Sequence, residues 1–167
     1  NKGIEIEMNY LVTDNFRIDA NVATQDHKYD VFLWDETPND GIDNPTDFSG
    51  YELPFSPELS WGLSLTYDQD LGANGSLTYN VLGNYQDEAQ SQPTNPMYSQ
   101  LEDRTIVDAN VTWRNIDDTY YVTVYGKNLT DETYRVGSNS VAGLWNFTLF
   151  GEPLELSLIH ISEPTRL

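Results

Sequence analysis

The chain has no cysteine, few basic side chains and no long apolar run. Without cysteine it can form neither a disulfide framework nor a thiolate metal site, and it has no thiol nucleophile; this composition fits an exported protein. Eight Lys and Arg stand against 27 Asp and Glu, for a formal net charge of −19. That balance supplies no basic patch for a phosphate backbone, so nucleic acid is excluded as a partner. No apolar stretch approaches the roughly 20 residues that a membrane-spanning helix requires, so any passage through a membrane must be made by strands. The opening residues, Asn1-Lys2-Gly3-Ile4, contain neither an initiator Met nor a charged-then-apolar export segment. The chain is therefore expected to begin inside a longer protein.

What the sequence does contain is alternation. Apolar residues recur at period two in six places, whereas helical spacing is nowhere sustained. A first strand from Gly3 to Val12 sets Ile4, Ile6, Met8 and Tyr10 against Glu5, Glu7 and Asn9. After a turn at Thr13-Asp14-Asn15, a second from Phe16 to about Tyr29 sets Phe16, Ile18, Ala20 and Val22 against Arg17, Asp19 and Asn21. Residues 30–57 are rich in Asp, Asn, Pro and Gly and read as a long loop without a core of its own, with Pro54 and Pro57 at the start of the next strand. The third and fourth strands, carrying Trp61, Leu63, Leu65, Tyr67 and then Leu77, Tyr79, Val81, Tyr85, form a hairpin about Gly72-Ala73-Asn74-Gly75. A second polar segment, 87–100, precedes a fifth strand with Val107, Ala109, Val111 and Trp113. The sixth, Thr119 to Asn128, carries Tyr120, Val122, Val124 and Gly126, and a third long segment runs to Gly151 before a last alternation near Leu154.

Connections alternate short and long, the short ones near Asp14, Ala73 and Asp117, as in membrane barrels with tight turns on one side and long external loops on the other. Tyr10, Phe16, Tyr67, Tyr79, Tyr85, Trp113, Tyr120 and Tyr134 lie near strand ends, where amphipathic rings suit the membrane interface. The pattern predicts an all-β antiparallel meander. It places Ile4, Ile6, Ile18, Leu63, Leu65, Val81, Val111, Val122 and Val124 on a convex, lipid-facing side, with Glu5, Glu7, Asp19, Asn80, Asp108 and Thr123 concave. Alternation equally describes a half-buried soluble sheet, so a soluble extracellular β-rich binding module is the alternative, and it requires the apolar faces to pack on one another.

The segment Tyr121 to Tyr134, YVTVYGKNLTDETY, joins an alternating strand to a polar exit. It resembles the penultimate-strand signature of TonB-dependent outer-membrane receptors. Gly3-Ile4-Glu5-Ile6-Glu7 with Leu11-Val12-Thr13-Asp14-Asn15-Phe16 is similar to that family's GxExE and LTDNF hairpin. Leu53-Pro54-Phe55-Ser56-Pro57 followed by Ser60 to Tyr67, and Leu101 followed by Thr105 to Val111, are similar to two more of its strands. The match covers about residues 1–153 and implies the C-terminal fragment of a large transmembrane β-barrel, residues 1–156. The resemblance further implies a barrel of about 22 strands and an N-terminal plug absent from this chain. It implies a scarce nutrient ligand (siderophore iron, cobalamin, haem or an oligosaccharide) and a TonB-type energy-transducing partner acting on the plug. Contact with outer-membrane lipid and lipopolysaccharide, in a Gram-negative bacterium, follows from the same resemblance. Family members end on an aromatic residue, whereas Leu156-Ser157-Leu158-Ile159-His160-Ile161-Ser162-Glu163-Pro164-Thr165-Arg166-Leu167 continues past that point and resembles translated adapter sequence. Residues 157–167 are expected to be a non-native tail. Leu154 to about Leu158 are expected to pair with the sixth strand, and residues from Ser162 onward to be unpaired, since Pro164 cannot donate to a ladder.

No catalytic residues, cofactors or metal ligands are expected. His27 and His160 fall in separate strand contexts, and the abundant carboxylates belong to a hydrated lumen or loops. Residues Asn39 to Asp47 cluster oxygen ligands but lack the spacing and terminal Glu of a Ca²⁺ loop. Sequons at Asn110, Asn128 and Asn146 arise readily in Asn/Thr-rich strands. Gly126 is read as room for a neighbouring aromatic ring or backbone, or as a bulge. No basic residue occurs between Lys28 and Arg104, so the loops of this part carry a negative field that disfavours anionic ligands. No ligand-binding residue is assigned from the sequence.

Overall fold

The computed structural model describes residues 2–35, 41, 44–94, 96–141 and 144–162. Among the described residues thirteen strands occur in chain order: β1 (Lys2–Thr13), β2 (Phe16–Asp26), β3 (Leu33–Trp34), β4 (Thr46–Asp47), β5 (Leu59–Asp70), β6 (Ser76–Gln86), β7 (Ala89–Gln90), β8 (Gln100–Leu101), β9 (Arg104–Arg114), β10 (Tyr120–Lys127), β11 (Arg135–Val141), β12 (Trp145–Phe150) and β13 (Glu155–Ser162). Seven of them form one antiparallel sheet in the order β1-β2-β5-β6-β9-β10-β13, a meander in which each main strand pairs with the next. The other six form three small two-stranded ribbons, each lying within one of the long connections. Among the described residues the only helical elements are two 3-10 turns, Gly72–Asn74 and Met97–Ser99.

Register decides which side chains share a face, because residues directly opposite one another point the same way. Tyr10, Ile18, Leu65, Val81, Ala109, Gly126 and Leu156 form one continuous row across all seven strands. Phe16, Tyr67, Tyr79, Val111, Val124 and Leu158 form the row beside it. All nine residues expected on the lipid side share this face, and all six expected on the opposite side lie opposite. The extensive strand contacts are made between hydrogen-bonded neighbours, so among the described residues no second sheet covers the apolar face. Val81, in the middle of the sheet, is 43% exposed and Leu156 is 70% exposed. The packing that a soluble sandwich requires is therefore not found.

Aromatic rings mark two levels on this face. Phe16, Tyr67 and Tyr79 share a row toward the short turns, and Trp61 stacks on Tyr85 at 5.9 Å toward the long connections. Trp61 and Tyr67 lie on one strand at a separation of roughly 20 Å at the rise of an extended chain, which fits an apolar band flanked by aromatic girdles.

Several sequence readings need correction. The second strand stops at Asp26 rather than near Tyr29, because the chain leaves the ladder there: Leu53 N–H donates to the His27 carbonyl and Lys28 bridges to Glu52. The segment 30–57 does hold a small core. Its β3–β4 ribbon packs Phe32 between Tyr29 (4.5 Å between ring centres) and Phe48 (5.7 Å), Tyr51 closes edge-on against Phe48, and Phe48 is buried. Pro54 and Pro57 lie in the turn before β5, which begins at Leu59. The third long segment likewise contains the β11–β12 hairpin rather than an irregular loop. At the C-terminal end the β10–β13 ladder runs unbroken from Lys127↔Glu155 to Tyr120↔Ser162. Pairing thus extends beyond the expected Leu158 and includes Ser162, because no residue lacking an N–H occurs before Pro164. Residues 163–167 lie outside the described residues.

Candidate functional site: the polar face and its long-connection end

The face opposite the apolar rows is built of hydrogen-bonding side chains. Asn80 Nδ2 donates to Ser64 Oγ and Thr66 Oγ1, both at 3.0 Å, linking β6 to β5. The Thr112 and Thr123 hydroxyls meet at 2.8 Å across β9 and β10, and Thr78 Oγ1 donates to Asp68 Oδ1 at 2.6 Å. Arg17 pairs with Asp19 at 2.9 Å. Such pairs, most of them across strands, satisfy polar groups without a second protein layer, giving a wall suited to water or to another polar surface. A cavity of about 430 Å³ opens on this wall toward the long connections, with Asn21, Gln25, Ser60, Asn84, Gln86 and Arg104 among its lining.

The exit phrase Gly126-Lys127-Asn128-Leu129-Thr130-Asp131-Glu132 forms a clasp beside the cavity. Asn128 is 2% exposed and adopts a left-handed φ of 48°, a conformation that asparagine tolerates better than most residues. Its Nδ2 donates to the Glu132 carbonyl at 2.8 Å and the Glu152 carbonyl at 3.0 Å, while its Oδ1 accepts from Glu132 N–H and Thr130 Oγ1. The phrase then ties back to β9: Asn128 N–H donates to Asp108 Oδ1 and Leu129 N–H to the Val107 carbonyl, and the single Thr130 hydroxyl proton is shared between Asn128 Oδ1 and the Thr105 carbonyl. Lys127 pairs with Glu152 at 3.0 Å. One asparagine thus fastens the end of β10 to the lead-in of β13. Its occupied amide also removes the sequon at Asn128 from consideration as an acceptor.

The neighbours of Gly126 are leucines, not the ring or backbone expected from the sequence. A Cβ at that position would lie 2.6 Å from Leu129 Cδ2 and 2.9 Å from Leu156 Cδ2. The close ring approach occurs instead at Gly151, where a Cβ would fall inside the Tyr134 ring. Tyr134 in turn supports Arg104, whose guanidinium lies 4.9 Å above the ring centre. Gly151→Ala is expected to displace the ring and cost about 1–3 kcal/mol, the usual range for overpacking. Combining it with Tyr134→Leu is expected to give far less than additive destabilisation, measured by denaturant unfolding of a full-length receptor in detergent. Additive losses would place the strain elsewhere.

The second and third long segments dock on each other through small polar groups. Ser91 Oγ and Ser138 Oγ meet at 2.9 Å, Gln92 Nε2 donates to the Ser138 carbonyl, and Ser99 is fully buried with its hydroxyl donating to Gln90 Oε1. Arg135 pairs with Glu102, and its hydrogen bond holds the Glu102 carboxyl below the usual carboxylate range. In the first segment, hydrogen bonds from Ser49 likewise lower the Asp47 carboxyl.

His27 is buried at the base of the first long segment, and neither ring nitrogen has a hydrogen-bond partner among the described residues. His160 pairs in register with Val122, toward the short-turn end. The two are therefore not brought together. Of the acidic stretch Asn39 to Asp47, residues 39, 40, 42 and 43 lie outside the described residues; Asp47 accepts from Ser49 N–H. Arg104 was missed in the sequence because Glu102-Asp103-Arg104 reads as an ordinary solvated charge cluster.

Comparison with known proteins places this geometry. The family model "TonB dependent receptor-like, beta-barrel" matches residues 1–129, and the chain belongs to that family, one of outer-membrane receptors and transporters rather than enzymes. Among solved structures it is similar to the ferric yersiniabactin uptake receptor FyuA from Yersinia pestis (TM-score 0.72, 17% identity, 95% of this chain and 23% of that one). It is also similar to the siderophore receptor PiuA from Acinetobacter baumannii (TM-score 0.67, 18% identity, 95% and 21%) and to P. aeruginosa FpvA bound to heterologous pyoverdines (TM-score 0.58, 20% identity, 95% and 18%). The chain thus spans about a fifth of the length of these receptors. No curated protein matches it by sequence.

Proposed function

We propose that this chain forms part of the wall of an outer-membrane receptor that takes up a scarce nutrient. Its apolar face meets lipid and lipopolysaccharide, and its polar face lines a lumen filled by a plug on which a TonB-type protein acts. The observation that carries this reading is the single-layer sheet of seven strands, with apolar rows on one side and a hydrogen-bonded polar wall on the other. Charged and amide groups are tolerated next to a membrane only where they face water or protein. The similar structures named above are described as a ferric yersiniabactin uptake receptor, a siderophore receptor and a protein bound to pyoverdines, which favours siderophore iron over cobalamin, haem or an oligosaccharide as the cargo.

The test is growth under iron limitation of a Gram-negative host lacking its own siderophore receptors and supplied with the complete receptor. Growth with one of a panel of ferric siderophores, abolished on deleting the energy-transducing partner, is the expected result. Growth that persists without the partner would contradict the coupling, and no growth with any member would contradict the cargo.

A further inference from the structure

Arg104 differs from the other described arginines. Arg17, Arg114 and Arg135 each pair with a carboxylate of their own chain, whereas Arg104 makes no ion pair among the described residues, in a protein with 27 acidic side chains. It stands at the start of β9, in the polar-face row that also holds Ser60 and Gln86. Its position is set on three sides: one Nη donates to Gln86 Oε1, the other to the Arg135 carbonyl at 3.5 Å, and the Tyr134 ring lies beneath. Of the five N–H groups of a guanidinium, the rest have no acceptor among the described residues, and the group borders the cavity lined by Gln25, Ser60 and Asn84.

We propose that this cavity is a carboxylate-binding site with Arg104 as its anchor. A half-buried cation held by neutral partners lacks a counter-charge. A planar guanidinium offers two parallel N–H groups to a carboxylate, a geometry that an amide cannot match with equal strength. Apart from Arg104 the lining is uncharged, and its Asn, Gln and Ser side chains accommodate oxygen atoms without competing for the charge. The negative loops nearby, including Asp87, Glu88 and Asp103 around Tyr85, oppose a polyanion. They lie too close to the cavity to be screened from it, since Asp103 adjoins Arg104 and Tyr85 lines the same cavity, so the paired hydrogen bonds of direct contact with Arg104, and not the long-range field, carry the binding of a single carboxylate. The site therefore suits a group carrying one carboxylate on a neutral or cationic frame. This inference rests on the reading of the polar face as a lumen wall. Two sources supply the same chemistry: a diffusible ligand, or an acidic side chain from the part of the receptor outside this chain.

The test uses the full-length receptor in detergent, with Arg104→Gln checked for barrel assembly by circular dichroism. Benzoate and its neutral isostere benzamide are titrated by ligand-observed NMR. If the source is diffusible, benzoate binds the parent receptor, binds Arg104→Gln about tenfold more weakly or worse, and outcompetes benzamide. If the source is internal, benzoate does not bind. The parent then unfolds at a higher temperature than Arg104→Gln near neutral pH, and the difference disappears below about pH 4, where carboxyls protonate. Equal behaviour of the two receptors in both arms, or equal binding of benzoate and benzamide, overturns the proposal. Neither arm reads transport, so loss of uptake with carboxylate binding intact would sink the function proposed above and leave this site standing.

Discussion

Replacing Asn128 by alanine in the full-length receptor is expected to lower the unfolding free energy by about 3 kcal/mol, reckoned from four side-chain hydrogen bonds at roughly 1 kcal/mol each, with partial relaxation. The loss is large for one small side chain because the amide is buried and serves both Glu132 backbone groups, the Thr130 hydroxyl and the Glu152 carbonyl. Alanine would leave those backbone groups without their side-chain partner and would itself occupy a left-handed φ. Asn128→Gly removes the same bonds without the conformational penalty, and is expected to be milder than alanine by about 1 kcal/mol. Denaturant unfolding in detergent reads both differences. If alanine changes stability by less than about 0.5 kcal/mol, the range of inert surface substitutions, the clasp does not fasten β10 to β13 as described.

The isolated chain, residues 1–167, is expected to aggregate when refolded without detergent. Seven main strands are fewer than the roughly eight of the smallest single-chain membrane barrels, so the sheet leaves the outer edges of β1 and β13 as unpaired rows of N–H and C=O groups. Ile4, Ile6 and Leu158 are each more than half exposed on the apolar face beside those edges. The net charge of −19 opposes association, but it resides on the polar face and in the loops and does not cover the apolar rows. Sedimentation analysis checks the expectation, and a soluble monomer that melts cooperatively would contradict it.

Much of the meander was legible because each main strand alternates and each short turn carries a local signal. Asn115 is one example: its Oδ1 accepts from Thr119 and Tyr120 N–H within the β9–β10 turn. The small ribbons were not legible. Two-residue pairs such as Leu33–Trp34 with Thr46–Asp47 are too short for periodicity, and Tyr29, Phe32, Phe48 and Tyr51 form a cluster only after the chain doubles back. The β11–β12 hairpin was hidden by the polar run Gly137-Ser138-Asn139-Ser140, which reads as loop until the ladder and the Ser91 contact are seen. The exit phrase was recognised as a motif, but its meaning lay in partners distant in sequence: Thr105, Val107, Asp108 and Glu152. Arg104 became distinctive only when its neighbours proved to be an amide, a carbonyl and a ring rather than a carboxylate.

In the full-length receptor β5, β6 and β10 are each expected to present one face to lipid and the other to a polar interior. This chain contributes no cysteine of its own, which suits single-site spin labelling in an otherwise cysteine-free receptor reconstituted in bilayers. Labels at positions 63, 64, 65, 66, 80, 81, 123 and 124 are compared for collision with oxygen, which concentrates in the bilayer, and with a water-soluble nickel chelate. A period of two is expected, with oxygen access highest at Leu63, Leu65, Val81 and Val124 and lowest at Ser64, Thr66, Asn80 and Thr123. Equal accessibility on both faces, or uniform access to the nickel chelate, would contradict it.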